Sequence, residues 1–328
     1  MFVRIYKTGY IFHAISILII ALVIWIPSFV IKRDVPINET SLNDIYSFFY
    51  SSNYYINLVI SCVLILASAI TLNIIIVDND LAPKTSFLGM FFFVLLSSSL
   101  NSSIEMNRFL WVSFFMLLMI NAIFKLPKSE ATIPRVFNAS LYLGIASLFY
   151  FPIAILIFVV WASLMTFRIS NWREYIVAII GLLLPIFLFF IWYYYYELEE
   201  QFYAIILSSF KVEFTFLAMS TLDVVIGIIS LGILVPSVFK TSGSMMEKSI
   251  AIRQKLSITL WLLVVSLIVF LVFEKFESHE FILLVPLTII LTNVVSNVKK
   301  VKWIDLYISL LFILVVVNHY LIFFDAKV

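Results

Sequence analysis

Long apolar runs recur from one end of the chain to the other and are separated by short polar segments. Most of them contain 15 to 22 residues, the length that a helix needs to cross the hydrocarbon core of a membrane. The pattern predicts an all-α fold, a polytopic transmembrane helix bundle of about nine to eleven membrane helices in one domain, residues 1–328. The predicted membrane segments are Tyr10–Ile31, Ile56–Val77, Ser86–Leu100, Leu110–Phe124, Phe137–Phe167, Tyr175–Tyr196, Leu222–Phe239, Ile258–Phe273, Phe281–Val298 and Ile304–Phe324.

The stretch Phe137–Phe167 contains 31 residues and fits neither one span nor two. One span takes about 20 residues and two spans take about 40. Pro152 lies near the middle of the stretch, and proline breaks or kinks a helix because it has no backbone N–H to donate. We therefore predict two half-length helices that meet at Phe151 and Pro152, either as a re-entrant pair or as two short spans.

The distribution of basic residues supports this hairpin. Loops on the cytoplasmic side of a membrane protein are enriched in Lys and Arg. If Phe137–Phe167 enters and leaves the membrane on one side, 15 basic residues fall on the cytoplasmic side and 6 outside. If it crosses once, the numbers become 9 and 12 and the asymmetry disappears. The sequence thus predicts a cytoplasmic N-terminus and a C-terminus on the outer side, which carries 13 of the 19 acidic residues.

Composition excludes several classes of protein. Charged residues make up 12% of the chain and its mean hydropathy is +1.12, whereas soluble domains carry about 25% charged residues. The net charge of +2 argues against a nucleic-acid partner. Cys62 is the only cysteine, so neither a disulfide framework nor a cysteine-based metal site is predicted. No motif indicates a cofactor, and the sequence leaves open whether there is one.

Carboxylates on the predicted outer side are the candidate catalytic groups, because a positioned carboxylate can act as a general base. Three of them follow the first span, and the fourth lies in the polar segment Ser97–Arg108 between two short spans. Spans of about 15 residues reach about 22 Å, less than the hydrocarbon core of roughly 30 Å. We therefore expect this segment to line a cavity below the outer surface; ordinary solvated loops are the alternative in both places. The candidates are Asp34, Glu39, Asp44 and Glu105.

Candidate binding residues lie on the same predicted side. Arg108 stands three residues after Glu105 and could pair with it on a helix. Tyr194 and Glu197 belong to an aromatic and acidic segment that either anchors a helix at the membrane interface or binds a sugar. Asp223 opens a predicted helix, whose dipole favours a negative charge there. A role for Asp223 in a substrate pocket is therefore a further possibility.

On the predicted cytoplasmic side, Arg168 and Arg173 suit anionic lipid headgroups or phosphate. The basic segment Met245–Lys255 predicts a short amphipathic surface helix. Six polar residues within apolar helices are expected to form hydrogen bonds between helices. They are His13, Asn73, Asn121, Asn293, Asn318 and His319.

The chain resembles an uncharacterised family of bacterial polytopic inner-membrane proteins over most of its length. The residues that carry the resemblance are Phe137–Pro152, Trp161, Arg168, Trp172–Glu174 and Gly181–Pro185. More distantly, the chain resembles C-type glycosyltransferases and polymerases of lipid-linked sugars, which have an outward loop after the first helix and short paired helices. The resemblance implies a role in biogenesis of the cell envelope, with a catalytic acidic residue at Asp34, Glu39 or Asp44.

Three functions are compatible with these observations. The first is an enzyme or carrier that acts on polyprenyl-linked glycans at the outer face, with membrane lipids and a polyprenyl-phosphate-linked sugar as partners. The second is a non-catalytic subunit of a membrane protein complex, because the sequence contains no specific catalytic or nucleotide-binding motif. The third is a transporter, because helices broken by Gly and Pro line substrate sites in transporters; no matching inverted repeat is evident.

Overall fold

The computed structural model describes residues 5–7, 11–30, 49–51, 53–100, 106–128, 131–210, 221–273, 279–298 and 302–325. Over these residues the protein forms twelve α-helices and no strand. The helices are α1 (Ile11–Val30), α2 (Tyr54–Asp78), α3 (Leu88–Leu100), α4 (Arg108–Phe124), α5 (Thr132–Phe149), α6 (Ile157–Thr166), α7 (Trp172–Tyr195), α8 (Glu199–Ser209), α9 (Thr221–Gly243), α10 (Ile250–Val272), α11 (Phe281–Asn297) and α12 (Lys302–Asp325).

Six of these helices are long and apolar enough to cross a membrane: α1, α2, α7, α9, α10 and α12. Their length and composition confirm the predicted all-α polytopic bundle and make the chain a multi-pass membrane protein. The shorter apolar helices α3, α4 and α11 pack among them. Helix α11 has 14 of its 17 residues buried, and every residue of α3 from Leu88 to Ser99 is buried. A helix that is apolar on all sides is stable in such a central position.

Helices α5 and α7 lie side by side and run in the same direction. Near their beginnings, the Thr132 hydroxyl donates to Glu174 Oε1 at 3.1 Å. About two turns further along both helices, Gly181 of α7 lies against Ser140 of α5. About one turn beyond that, Gly144 of α5 lies against Pro185 of α7. The contacts advance together along both helices, so the pair is parallel. The chain between them must therefore return to the end from which α5 started, which confirms the predicted hairpin.

The hairpin differs in detail from two half-length helices. Its first arm is the full 18-residue helix α5, which begins at Thr132, before the apolar run. Tyr150 then adopts an extended conformation, with φ −154° and ψ 101°, and a 3₁₀ helix, Phe151–Leu156, leads into α6. Pro152 lies in the first turn of the 3₁₀ helix, where its missing N–H removes no helical hydrogen bond.

The predicted surface helix over Met245–Lys255 is wrong. A short 3₁₀ helix, Met245–Glu247, ends at Lys248, and α10 then begins at Ile250, well before the predicted span. The Ser249 hydroxyl accepts the N–H of Ile252 and caps this helix. Lys255 lies inside α10, is 5% exposed and donates to the backbone oxygen of Asn79 at 3.4 Å. Lys255 is thus a buried residue of a membrane helix, with a backbone carbonyl as its partner.

The two ends of the bundle differ in charge. At one end, the side chain of Arg135 donates to Lys125 O at 3.1 Å, and that of Gln254 donates to Thr166 O at 2.9 Å. We call this the basic end and the other the opposite end. The basic residues at the basic end are Lys7, Lys84, Lys125, Lys128, Arg135, Arg168, Arg173, Lys240, Lys248, Arg253, Lys255 and Lys302. Among the described residues of the opposite end, Arg108 is the only Lys or Arg.

Candidate functional site

Five side chains from four helices lie near the opposite end in two hydrogen-bonded groups. The adjacent residues Asn318 and His319 of α12 hold the two groups side by side, and we call them together the polar cluster. Asn318 Nδ2 of α12 donates to Asp223 Oδ1 of α9 at 2.9 Å. The neighbouring His319 has its Nε2 2.9 Å from the backbone oxygen of Ser98. The Ser98 hydroxyl in turn accepts the indole N–H of Trp25 at 3.0 Å. The cluster therefore joins α1, α3, α9 and α12 through polar groups inside an apolar bundle.

Local sequence explains why these groups reach the same depth. Asp223 lies in the first turn of α9, where the helix dipole favours a carboxylate. Asn318 and His319 are adjacent near the end of α12 and are 4% and 1% exposed. Ser98 is near the end of α3, which at 13 residues spans only about 20 Å. A short helix places its terminal serines below the level that a full span would reach.

The sequence identified part of this cluster. Asp223 is one of the predicted binding residues. The expected bonds between helices are confirmed for Asn318, which bonds to α9, and for His319, which bonds to α3. Trp25 and Ser98 were missed as partners, because an indole N–H or a serine in an apolar run carries no signal of what it bonds. The available signal was that Ser98 belongs to a run of three serines at the end of a short span.

A buried histidine occupies a second position at the opposite end. The His279 ring is fully buried and stacks on Phe109, with ring centroids 5.0 Å apart. Tyr150 meets it edge-on at 5.0 Å, and Phe270 lies at 5.5 Å. These rings tie the start of α4, the turn after α5 and the end of α10 around one imidazole. Aromatic contacts of this kind favour a fixed ring orientation.

The remaining candidates at the opposite end lie apart from the polar cluster. Arg108 is the first residue of α4, directly after the cap Asn107. Tyr194 is 65% exposed near the end of α7, and Glu197 is exposed at the turn that follows, with a positive φ of 57°. Of the four tyrosines there, Tyr193 is buried against Phe202 of α8 and is not a surface anchor. Exposure of the others fits an interfacial position.

The four catalytic candidates lie outside the described residues. They are Asp34, Glu39, Asp44 and Glu105. Among the residues that the structure describes, no group of three or more His, Cys, Asp or Glu side chains is placed to hold a metal ion.

At the basic end, Arg168 and Arg173 are both exposed. Arg168 has a positive φ of 60° and ends α6, where the N–H of Ile169 bonds to Leu164 O at 2.9 Å. That pattern is a common way to close a helix, and glycine is the usual residue at such a position. Arg168 therefore has a structural role in the turn, and its guanidinium remains at the surface of the basic end.

A buried amide also lies at the basic end. Asn293 of α11 accepts a hydrogen bond from Lys248 Nζ at 2.6 Å and donates one to the backbone oxygen of Leu81 at 2.6 Å. It is 2% exposed, and it joins three separate parts of the chain. Partial burial lowers the pKa of Lys248, because desolvation disfavours its charged form.

Lys248→Met is expected to remove a pH dependence of stability. The lysine amine titrates near 10.4 in an unfolded chain, and its folded-state pKa is lower, so the unfolded chain binds more protons between the two values. The free energy of unfolding of the wild type should therefore rise with pH between the two pKa values of Lys248. Below the lower value, the cost of the partly buried charge does not change with pH. Unfolding free energies measured from pH 7 to 10.5 test this. Lys240→Met, at an exposed lysine of the same end, should keep the wild-type slope.

The fold and the polar cluster define the chain as a polytopic α-helical membrane protein with hydrogen-bonding side chains held inside its bundle. Comparisons with known protein families, with curated proteins and with solved structures found no match for this chain.

Proposed function

We propose that the protein binds a polyprenyl-linked glycan at the polar cluster and acts on it during biogenesis of the cell envelope. The observation that carries the proposal is the Asp223–Asn318 hydrogen bond, 2.9 Å long, beside the bond of His319 to Ser98. Polar groups inside a membrane protein are costly, and they commonly mark the place where a substrate binds. The distant resemblance to enzymes of lipid-linked sugars supports the same substrate class.

The chemistry of the cluster suits a ligand with several hydroxyl groups. Asp223 is an acceptor, Asn318 offers both a donor and an acceptor, and His319 can do either. A carboxylate within hydrogen-bond reach can also remove a proton from an attacking hydroxyl. The sequence candidates Asp34, Glu39 and Asp44 stand between α1 and α2, whose connected ends are at the opposite end. In the proposal, they supply further carboxylates to the same reaction.

The proposal places the basic end in the cytoplasm. Lysines and arginines are enriched on the cytoplasmic side of membrane proteins, and all but one of the described Lys and Arg residues lie at the basic end. The protein then resides in the bacterial inner membrane with a cytoplasmic N-terminus and a periplasmic C-terminus. The polar cluster faces the periplasmic half of the bilayer, where lipid-linked glycans are assembled into envelope polymers.

Cysteine labelling tests this orientation. With a membrane-impermeant maleimide on intact spheroplasts, Glu197→Cys should be labelled, and Lys84→Cys and Arg168→Cys should react only after the membrane is opened. All three positions are exposed, and the native Cys62 is buried, so its background should be low. The reverse labelling pattern would show that the orientation is inverted.

Asp223→Asn is expected to weaken capture of a polyprenyl-phosphate sugar by about tenfold, because the loss of a charge-assisted hydrogen bond costs about 1.5 kcal/mol or more. Asparagine keeps an oxygen for Asn318, so the helix contact should survive. The measurement uses the full chain in nanodiscs and a radiolabelled polyprenyl-phosphate sugar, with competition by unlabelled lipid.

Asp305→Asn is the matched control, because Asp305 also lies in the first turn of a membrane helix but at the basic end. It should bind the lipid as the wild type does. Equal binding by Asp223→Asn and wild type, with both proteins monodisperse, would contradict the proposal. So would an equal loss in both variants.

A non-catalytic subunit of a membrane complex is the second candidate. Helix α9 favours it, because only 22% of the apolar stretch of this helix is buried inside the protein. A β-carbon added at Gly227 on this helix would meet no atom within 4 Å. Purification in mild detergent distinguishes the two. A stable heteromeric complex would support the subunit role, and a monodisperse single protomer that binds the lipid would exclude it.

A further inference from the structure

Two arginines at the basic end stand on either side of the turn between α6 and α7. Arg168 follows the end of α6, and Arg173 lies in the first turn of α7. Both are exposed, and neither guanidinium has a hydrogen-bond or ion-pair partner among the residues that the structure describes. Arg135 at the same end differs, because its side chain donates to Lys125 O. The two arginines at the turn therefore remain available to a ligand.

The fold turns the carboxylate that is nearest in sequence away from these arginines. Glu174 follows Arg173 directly, but its side chain is buried, with 2% exposed. Its Oε1 accepts the Thr132 hydroxyl of α5 at 3.1 Å and the side-chain amide of Asn171 at 3.4 Å. The carboxylate therefore faces α5 rather than the surface. Residues 167–173 contain no acidic residue, so the surface of the turn carries two positive charges and no negative one.

An exposed apolar face continues from Arg173 along α7. Four apolar residues follow it at intervals of three or four and are 37–60% exposed, namely Ile176, Ile180, Leu184 and Phe187. Residues at this spacing lie on one side of a helix. Trp172 is 68% exposed, and tryptophan is enriched where a membrane meets water. Because α7 is apolar enough to cross a membrane, its start lies at the level of the headgroups and its apolar face at the level of the acyl chains.

We infer that Arg168 and Arg173 hold the phosphate of an anionic phospholipid in the leaflet at the basic end. A guanidinium presents a planar fork of N–H donors that pairs with two phosphate oxygens, whereas the ammonium group of lysine is a point charge. Five residues of chain span at most about 18 Å, and the turn shortens that distance. Both long side chains can therefore reach one headgroup.

The surroundings of the two arginines favour a lipid over free phosphate. The headgroup would supply the negative charge that the turn lacks, and basic residues at a membrane surface attract anionic lipids. The acyl chains of the same molecule would lie along the exposed face of α7 below Arg173. This site is at the other end of the protein from the polar cluster, so the inference does not depend on the proposed function.

Lipid binding to the full-length protein in a neutral detergent tests the inference. The probe is phosphatidylglycerol, and native mass spectrometry counts the bound molecules during a titration. The double variant Arg168→Gly and Arg173→Gln should bind this lipid at least about tenfold more weakly than the wild type, because it loses charge-assisted hydrogen bonds. Glycine suits the positive φ of 60° at position 168. Arg173→Gln alone, at an exposed position, replaces the double variant if that protein does not fold.

A second double variant, Lys240→Gln with Arg253→Gln, is the matched control. It removes two exposed positive charges from the same end and should bind phosphatidylglycerol as the wild type does. An equal loss in the two double variants would show diffuse attraction and would overturn the site. Arg173→Lys keeps the charge but not the fork, and its affinity should fall between those of the wild type and the Arg168 and Arg173 double variant. Wild-type affinity in Arg173→Lys would overturn the forked contact.

Photolabelling in nanodiscs locates the lipid. Phosphatidylglycerol with a diazirine in its headgroup should label residues 165–176, and labels confined to other parts of the chain would overturn the inference. Displacement of the lipid by millimolar inorganic phosphate would show a phosphate site and overturn the lipid assignment. Asp223→Asn should bind phosphatidylglycerol normally, because Asp223 belongs to the polar cluster. A failure of this inference therefore leaves the proposed function standing, and the reverse also holds.

Discussion

Gly144→Ala is expected to lower the free energy of unfolding by about 3 kcal/mol, at the upper end of the usual cost of overpacking. A β-carbon on Gly144 would lie 2.5 Å from the backbone oxygen of Leu182 and 2.9 Å from Pro185 Cγ. Neither neighbour is a flexible chain end, so α5 and α7 must separate to make room. Equilibrium unfolding in mixed micelles with increasing SDS measures the loss.

Gly227→Ala is the control for this prediction. The added methyl on α9 meets no atom within 4 Å, and alanine favours a helix over glycine by about 0.5–1 kcal/mol. The control should therefore be neutral or slightly stabilising. If Gly144→Ala were as stable as Gly227→Ala, the close parallel contact of α5 and α7 would be wrong, and the hairpin deduced from it would lose its support.

Asn293→Ala is expected to cost about 2–4 kcal/mol, because removing one side chain deprives a buried carbonyl and a partly buried ammonium group of a hydrogen bond. Lys248 Nζ loses its acceptor at 2.6 Å, and Leu81 O loses a donor at 2.6 Å. The same SDS titration measures the effect. Part of the stability should return in the double variant with Lys248→Met, because the charge that lost its partner is then absent.

Asn297→Ala is the matched control for the buried amide. Asn297 lies one turn further along α11, is exposed, and donates only to Asn293 O of its own helix at 2.7 Å. Its replacement should change stability by less than about 1 kcal/mol. Equal losses in the two alanine variants would contradict a linking role for Asn293. So would a double variant as unstable as the sum of its single changes.

Several features of the fold were predictable from the sequence because they follow from solvation. An apolar run must be covered by lipid or protein, so the spans appear in hydropathy alone. The charge asymmetry required Phe137–Phe167 to return to its starting side, and the parallel contact of Gly144 with Pro185 confirms this. The charge distribution was enough to predict the hairpin, because moving Lys or Arg across a membrane is costly. That cost does not depend on which neighbours a helix packs against.

Other features depended on contacts that the sequence does not record. Lys255 indicates a surface helix when it is read alone, yet it is buried because the Asn79 carbonyl is there to accept its hydrogen bond. The separate positions of Ser98, Asp223 and His319 do not reveal that they share one cluster. Hydropathy describes how a residue interacts with a solvent, whereas a buried polar residue is stabilised by one particular partner.

By itself the sequence determined that this is a multi-pass helical membrane protein with a hairpin around Pro152 and a basic side. Those properties are sums over many residues, and no single contact changes them. The tertiary structure alone decided which helices occupy the centre, that Asn318 meets Asp223, and that Ser230 lines a small apolar cavity. Lipid and helix interior are nearly equally apolar, so hydrophobicity does not specify which helix faces pack together. Glycine contacts and hydrogen bonds do, and they exist only in the folded chain.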